Sequence, residues 1–596
     1  MAKQRAHLEI QRRHSTSPLG LWRTTFRDPV SKKICHKTVG RITGLSLDNL
    51  LTIQANARLN GFPGAASPAA AAPAAAAIAT EPLTSTTKSC LFDQSKLKIH
   101  NSREYGASKA LHDLAKHIGL DKMLYSRHEL WVRCALAMII GRIVCQGSKL
   151  SLAHCTDVSA LWEICGVAGP IDVNEHCYEV MDRLLERQGA IQKQLAAKHL
   201  NEGCIVLYDI TSSYLEGEYA ESEITSFGYS RDGKRGHQQI VIGLITNAQG
   251  CPVAIEVFPG NTQDAATVEG KLKELRVTYG IKDIVFVGDR GMVTQSNEEK
   301  LKALPEGEGI KIISALTHRE IVAMLERTGN TAELFDSNNI VEVTERDNEG
   351  RRYCLCRNPF NAARQTKQRD ELLERSQQEL RRIAATALKS QRSKAPASDA
   401  LIGARVGKVL EKTKMAKYIT WKVVSAGVLE WSLDKEQVKA DQALDGCYVI
   451  KTTVSAAQMD KEHVVASYKG LSKVEQAFRN LKTVSLELRP IHHRKDERIE
   501  AHAFVCMLAY YLQWHMVQKL EPLLREQREA IANKTMRRED RKWTLAHVIE
   551  VLKALRTQEV EYAGTKFQTQ TEPTAEQARV LKLLRQGSAK QAVGAG

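Results

Sequence analysis

The spacing of apolar residues along this 596-residue chain changes character twice. Leu21–Arg27 alternates apolar and polar positions, Asp28-Pro29 marks a turn, and Ile34–Ile42 can return as a second strand. Residues 1–60 are therefore expected to form a small basic β-rich module. In 61–92, Pro63, Pro68, Pro73 and Pro82 interrupt runs of alanine, which predicts an Ala/Pro-rich linker rather than one long helix. From 93 to 200 the period is helical: Ala107–Ile118 stops at Gly119, and His128–Val144, Val158–Gly166 and Asn174–His199 follow. A helix–turn–helix turning at Gly119-Leu120 and a plain helical bundle fit this pattern equally well. The region is taken as a helical DNA-binding domain.

At Cys204 the pattern turns to strands. Cys204–Ile210 is a continuous apolar run. Gln239–Thr246 and Pro252–Phe258 follow it across a polar loop, Tyr229–Gly236, and a turn at Asn247–Gly250. A helix over Asp264–Tyr279, N-capped by Thr262, leads to a buried strand at Ile284–Gly288. A helix at Ser296–Leu304 and a strand at Ile310–Ser314 complete the run. The order β-β-β-α-β-α-β predicts an α/β fold: a ribonuclease-H-like mixed sheet core, first part 201–320, whose antiparallel meander continues into a parallel half.

The helix that should close this core is delayed. A β-rich insertion domain over 321–455 is expected, because so long an interval exceeds any plausible loop. Its strands are Val341–Thr344, Arg352–Cys356, Ile419–Val424 and Gly446–Thr452, with a long charged helix near Gln365–Ala387. The core resumes with closing helices in 456–530, including Ala501–Gln518. A basic helical C-terminal region, 531–596, follows, with helices at Lys542–Leu555 and Glu576–Leu584.

An apolar share of 43% and a charged share of 26% are those of a soluble globular protein. The net charge of +16 points to a polyanionic partner. The first 60 residues carry 11 Lys/Arg against 3 Asp/Glu, and residues 357–417 carry 15 against 6, so these are the best electrostatic footprints for nucleic acid. The 13 cysteines form no Cys-x-x-Cys pair, and Cys354 and Cys356 alone are too few for a zinc site. Free thiols, a reducing compartment and a cytoplasmic location are expected. Met1–Arg13 is polar, so no secretory signal is expected, and no apolar run reaches the length of a membrane span.

The chemistry concentrates in three carboxylates. In Tyr468–Lys482, the residues Tyr468, Leu471, Glu475 and Lys482 fall within roughly a 60° arc of one helix. Val474, Ala477, Phe478 and Leu481 form the neighbouring apolar stripe, which can anchor that helix on a core. Asp209 and Asp289 end apolar runs far upstream. Two strand-end aspartates and a helix-borne glutamate suit a site for two Mg²⁺ ions about 3.5–4 Å apart, since Mg²⁺ prefers oxygen ligands. Asp209 is the expected bridging ligand, with Asp289 and Glu475 each completing one ion's shell. Tyr468, Lys482, Arg479, Arg489 and Arg290 are the expected DNA contacts. His492, His493 and His502 are expected to be structural or near DNA, because adjacent histidines point apart on a regular element.

With these residues in place, the chain resembles the DDE transposases of bacterial insertion sequences, in the subgroup with the signature Tyr-x2-Arg-x3-Glu-x6-Lys. Tyr468, Glu475 and Lys482 match it; Leu471 stands where the family usually has Arg. Further matching segments are Tyr208-Asp209-Ile210-Thr211, Phe258-Pro259-Gly260-Asn261-Thr262, Val287-Gly288-Asp289-Arg290-Gly291-Met292, Leu444-Asp445-Gly446 and Arg489-Pro490-Ile491-His492-His493. The resemblance implies Mg²⁺-dependent endonuclease and strand-transfer activity, with Mn²⁺ as a substitute. It implies binding to terminal inverted repeats, joining to target DNA, and a homodimer in the synaptic complex. It also implies a flipped base in the insertion, for which Trp421 or Trp431 could supply a stacking face. A metal-dependent nuclease without strand transfer and a catalytically inactive DNA-binding regulator are the alternatives.

Overall fold

The computed structural model describes residues 93–585 apart from 295–296, 300–309, 337–338, 345–350, 392–396, 426 and 485, together with three strands nearer the N-terminus. Those strands, β1 (Ala6–Gln11), β2 (Leu19–Arg27) and β3 (Ile34–Ile42), form an antiparallel sheet in the order 1-2-3. The alternation in Leu21–Arg27 anticipates β2, and β1 goes beyond the sequence expectation. The expected linker lies outside the described residues. Residues 1–92 and 93–596 are separate compact units.

The second unit opens with β4 (Leu97–Glu104), followed by α1 (Gly106–His117), α2 (Leu130–Val144), α3 (Glu179–Glu186) and α4 (Gln188–His199). Gly119 terminates the first helical stretch in the left-handed region at φ +76°. The segment after that turn, Leu120–Leu124, has five residues, four of them buried, and α2 buries thirteen of its fifteen. A recognition helix must be exposed to reach a groove. The plain helical bundle therefore describes this region, and the helix–turn–helix at Gly119 does not.

The central sheet runs through β5 (Cys204–Tyr214), β6 (Gln239–Asn247), β7 (Pro252–Pro259), β8 (Ile284–Gly288) and β9 (Ile310–Ala315). β5, β6 and β7 form the expected antiparallel meander, and β5, β8 and β9 pair in parallel. Two details differ from expectation. β5 runs four residues beyond Ile210, because Thr211, Ser212, Ser213 and Tyr214 continue the ladder with β6. The helix after β7, α5 (Asp264–Lys273), ends in a wider π turn over Glu274–Thr278, and its N-cap is Gln263 rather than Thr262.

The segment expected as a separate β-rich domain is built differently. After α6 (His318–Thr328), strands β10 (Val341–Thr344) and β11 (Arg352–Arg357) extend the central sheet, and so does β14 (Cys447–Thr452) farther along the chain. The sheet has eight strands in the order 10-11-14-9-8-5-6-7. Between β11 and β14 stand α7 (Pro359–Ser390), α8 (Asp399–Thr413), the hairpin β12 (Ile419–Ser425) and β13 (Val428–Leu433), and α9 (Lys435–Ala443). This part has its own small core around Leu373, Leu380, Ile402, Val406 and Leu410. It is mostly helical, and its two strands pair only with each other.

The chain then returns through α10 (Lys461–Lys469), α11 (Leu471–Arg479) and the 37-residue α12 (Asp496–Ala532). α12 buries an almost unbroken run, Ala501–Gln513, against the sheet and the N-terminal helices. The C-terminal region is not purely helical. Between α13 (Leu545–Lys553) and α14 (Ala575–Arg585), β15 (Arg556–Tyr562) and β16 (Thr565–Gln570) form a hairpin that pairs with β4. Among the described residues, no single helix is long and apolar enough to cross a membrane.

Candidate active site

Two strands and a helix bring the acidic residues together. Asp209 lies within β5, opposite Leu244 of β6. Asp289 is the first residue after β8. Because β5 and β8 pair in parallel with Tyr208 opposite Gly288, Asp209 and Asp289 occupy neighbouring positions at the same level of the sheet. Side chains alternate along a strand, so Leu207, Asp209 and Thr211 share one face of β5. α11 packs on that strand. Gly470 stands at the joint between α10 and α11, where a Cβ would come within 2.8 Å of the Ser467 carbonyl oxygen.

Asp209, Asp289 and Glu475 line one cleft of 390 Å³, together with Tyr468, Arg290, Leu471 and the polar residues Asn358, Asn361 and Gln365 at the start of α7. Burial first, and then the charges of Asp289 and Glu475, push the Asp209 carboxyl up to about 7, against the pull of the Ile210 N–H and Arg231. Ile210 donates its N–H to Asp209 Oδ1 at 2.8 Å. Tyr468 donates its hydroxyl to Asp289 Oδ1 at 3.0 Å, and its own ionisation is pushed up by burial and by that carboxylate.

Three hard oxygen donors gathered in one cleft, with Asp289 and Glu475 both raising Asp209, fit divalent cations of the Mg²⁺ class. The three carboxylates do not grip a single point: among the described residues, the one trio of ligand-type side chains whose donor atoms all lie within 4.8 Å of each other is elsewhere, at His199, Cys251 and His515.

The expected DNA contacts part company here. Arg290 lines the cleft and is exposed. Arg479 is exposed on α11. Lys482 is not on the arc expected for it. The last turn widens into a π turn over Asn480–Val484, which swings Lys482 inward. It is buried, donating to Thr211 Oγ1 at 2.6 Å and to Asp232 Oδ1 at 2.8 Å. Arg489 pairs with the same Asp232 oxygen at 2.5 Å. Both cations are thus committed to a buried aspartate from the Tyr229–Gly236 loop. Leu471, in the place of the signature arginine, is itself buried at the cleft wall. Of the two insertion tryptophans, Trp421 is 39% exposed and opposite Trp431 in the hairpin.

The His493 and His502 rings meet at 5.1 Å between centroids, tilted by 52°, and His502 Nδ1 lies 3.1 Å from Lys149 Nζ, so these histidines are interior packing groups. Sequence reasoning missed Asn358, Asn361 and Gln365. The available signal was Asn358-Pro359, a side-chain cap followed by proline at the first helical position, which fixes where α7 begins. Gln365 accepts from the Gly446 N–H at 2.7 Å, and Arg369 and Thr366 bind Asp445, which ties the start of α7 to the loop before β14.

A family model described as the transposase DDE domain matches residues 201–512, more than half of the chain. The chain belongs to the DDE transposase family. The match spans β5 through nearly half of α12 and contains all three acidic residues of the cleft. No curated protein matches the sequence. A solved structure titled as a cryo-EM structure of the piggyBac transposase synaptic complex with hairpin DNA is 8% identical, over 75% of this chain and 77% of that one. Its TM-score of 0.32 is too low for a common fold to be read from it. In this DDE transposase, the polar start of α7 and the loop before β14 line the same cleft as α11.

Proposed function

We propose that this DDE transposase belongs to a bacterial insertion sequence, cleaves at the element's terminal inverted repeats and joins the freed 3′-hydroxyl to target DNA, with Asp209, Asp289 and Glu475 as metal-binding catalytic residues. The observation that carries the reading is the meeting of these carboxylates, from three remote segments, in one open cleft within the matched domain. When bound, a pair of divalent ions supplies charge neutralisation at the phosphodiester and activation of the attacking oxygen. The protein's own residues do the rest. Asp209, Asp289 and Glu475 would hold the ions, and the Tyr468 hydroxyl orients Asp289.

Arg290, exposed in the cleft, and Arg479, exposed on α11, would meet phosphates. Lys482 and Arg489 act from behind: by holding Asp232 and Thr211 they fix the strand that carries Asp209. Mg²⁺ is the expected ion, with Mn²⁺ able to replace it, and a homodimer would synapse the two ends. The net charge of +16 supports a DNA partner.

The test is a supercoiled donor plasmid carrying the element's ends, incubated with target DNA. Wild-type protein with Mg²⁺ should give products covalently joined to target, while Asp209→Ala and Glu475→Gln should bind the ends and yield none. Nicks without joined products would point to a nuclease alone. Activity unchanged in both variants would remove the site assignment.

A further inference from the structure

Away from the acidic cleft, three other side chains from three separate segments meet. His199 ends α4, Cys251 sits in the turn between β6 and β7, and His515 lies on α12. Their donor atoms all lie within 4.8 Å of one another. Metal–ligand bonds of about 2.0–2.3 Å place the ligand atoms of a tetrahedral site somewhat closer than this, so a small contraction completes the geometry.

Two imidazoles and a thiol are the donor types a borderline-soft cation takes, and a neutral imidazole has a lone pair to give. His515 Nε2 is buried and has no hydrogen-bond partner. Cys251 is fully buried, and that burial pushes its thiol up. Tyr511, one turn before His515, has its hydroxyl oxygen 2.9 Å from His199 Nε2 and its ring 4.6 Å from that of His515, so it fixes both rings. Lys198 and Lys519 stand near enough to oppose a cation, and a thiolate offsets them.

We propose that His199, Cys251 and His515 bind one zinc-class ion, which pins the end of the N-terminal helical layer and the β6–β7 turn to α12. Two imidazoles and one thiolate select a borderline-soft divalent cation over Mg²⁺, and leave a fourth position for water. On binding, the Cys251 S–H bond breaks, the sulfur–metal bond forms, and the proton passes to solvent. No change of oxidation state is involved. The site shares no residue with the acidic cleft and stands or falls independently of it.

The test is a Co²⁺ titration of the full-length protein, stripped with chelator and held in excess Mg²⁺. One equivalent should bind, with thiolate-to-cobalt charge-transfer absorption and the visible bands of tetrahedral cobalt, and Zn²⁺ should displace it one for one. Cys251→Ser should abolish the charge-transfer band. Tyr511→Phe should weaken binding about 10-fold. The triple variant Asp209→Asn/Asp289→Asn/Glu475→Gln should titrate like wild type. X-ray absorption of the zinc-loaded wild type, which needs no variant to fold, should count one sulfur and two imidazole nitrogens. A wild-type protein without the charge-transfer band, a band that survives Cys251→Ser, or a shell without sulfur would each overturn the proposal.

Discussion

Tyr468 shows how much one hydroxyl is asked to do. It stands on Asp289 at 3.0 Å, and its removal leaves the carboxylate in place but free to rotate. Outer partners of metal ligands are typically worth 10–100-fold in affinity. Tyr468→Phe should therefore weaken Mn²⁺ binding by about 10-fold in calorimetry while leaving thermal stability nearly unchanged. A variant that binds Mn²⁺ as tightly as wild type would show that Asp289 is oriented without it. Lys482 makes the opposite point. Its spacing from Glu475 was readable, but its direction was not, because a π turn rotates the helix just before it and Asp232 draws it inward. A regular 100° step per residue carries Glu475 to the cleft and fails one turn later.

At the scale of elements, the placement of α7 depends on a buried pair. Arg369 Nη1 meets Asp445 Oδ1 at 2.9 Å, both side chains are nearly covered, and Thr366 donates to the same carboxylate at 2.7 Å. Breaking such a pair strands a buried charge. Arg369→Ala should cost about 3–5 kcal/mol in urea unfolding, and should loosen the α7 wall of the cleft. A cost below about 1 kcal/mol would mark the pair as a surface-type interaction.

The elements also show which information was local. The meander, the strand before Asp289 and the closing helix were legible because each buries a continuous apolar run. Sheet membership was not. β10, β11 and β14 look like strands of an independent domain until their partner β9 is known. β15 and β16 carry little apolar signal, and β15 finds its partner β4 at the opposite end of the compact unit. The His199–Cys251–His515 cluster was invisible for the same reason: its members share no sequence spacing, only a fold.

Across the whole molecule, the N-terminal helices and α12 enclose a basic interior knot. Arg142, Lys149, His493 and His502 lie together near the short segment after Lys482, and Arg142 is held by the Glu487 carbonyl at 2.7 Å. Burial, then Arg142, lowers Lys149 to about 8, and burial, then Lys149, lowers His493 to about 3. An unfolded histidine takes up its proton near 6.5, whereas the folded ring resists until about 3. Stability from this group is thus full above the unfolded value and is lost as pH falls from about 6.5 toward 3. Melting curves of the full chain should drop across that window, and His493→Gln should flatten the drop. An equally steep fall in the variant would place the acid sensitivity elsewhere.

The central claim is that the carboxylates of Asp209, Asp289 and Glu475, gathered from two strands and a helix, hold divalent cations. The most direct measurement is anomalous diffraction from crystals of the protein soaked in Mn²⁺. Manganese peaks bounded by these three side chains, with Asp209 touching more than one of them, are the predicted result. An empty cleft at saturating Mn²⁺, or manganese bound only to residues outside it, would contradict the account.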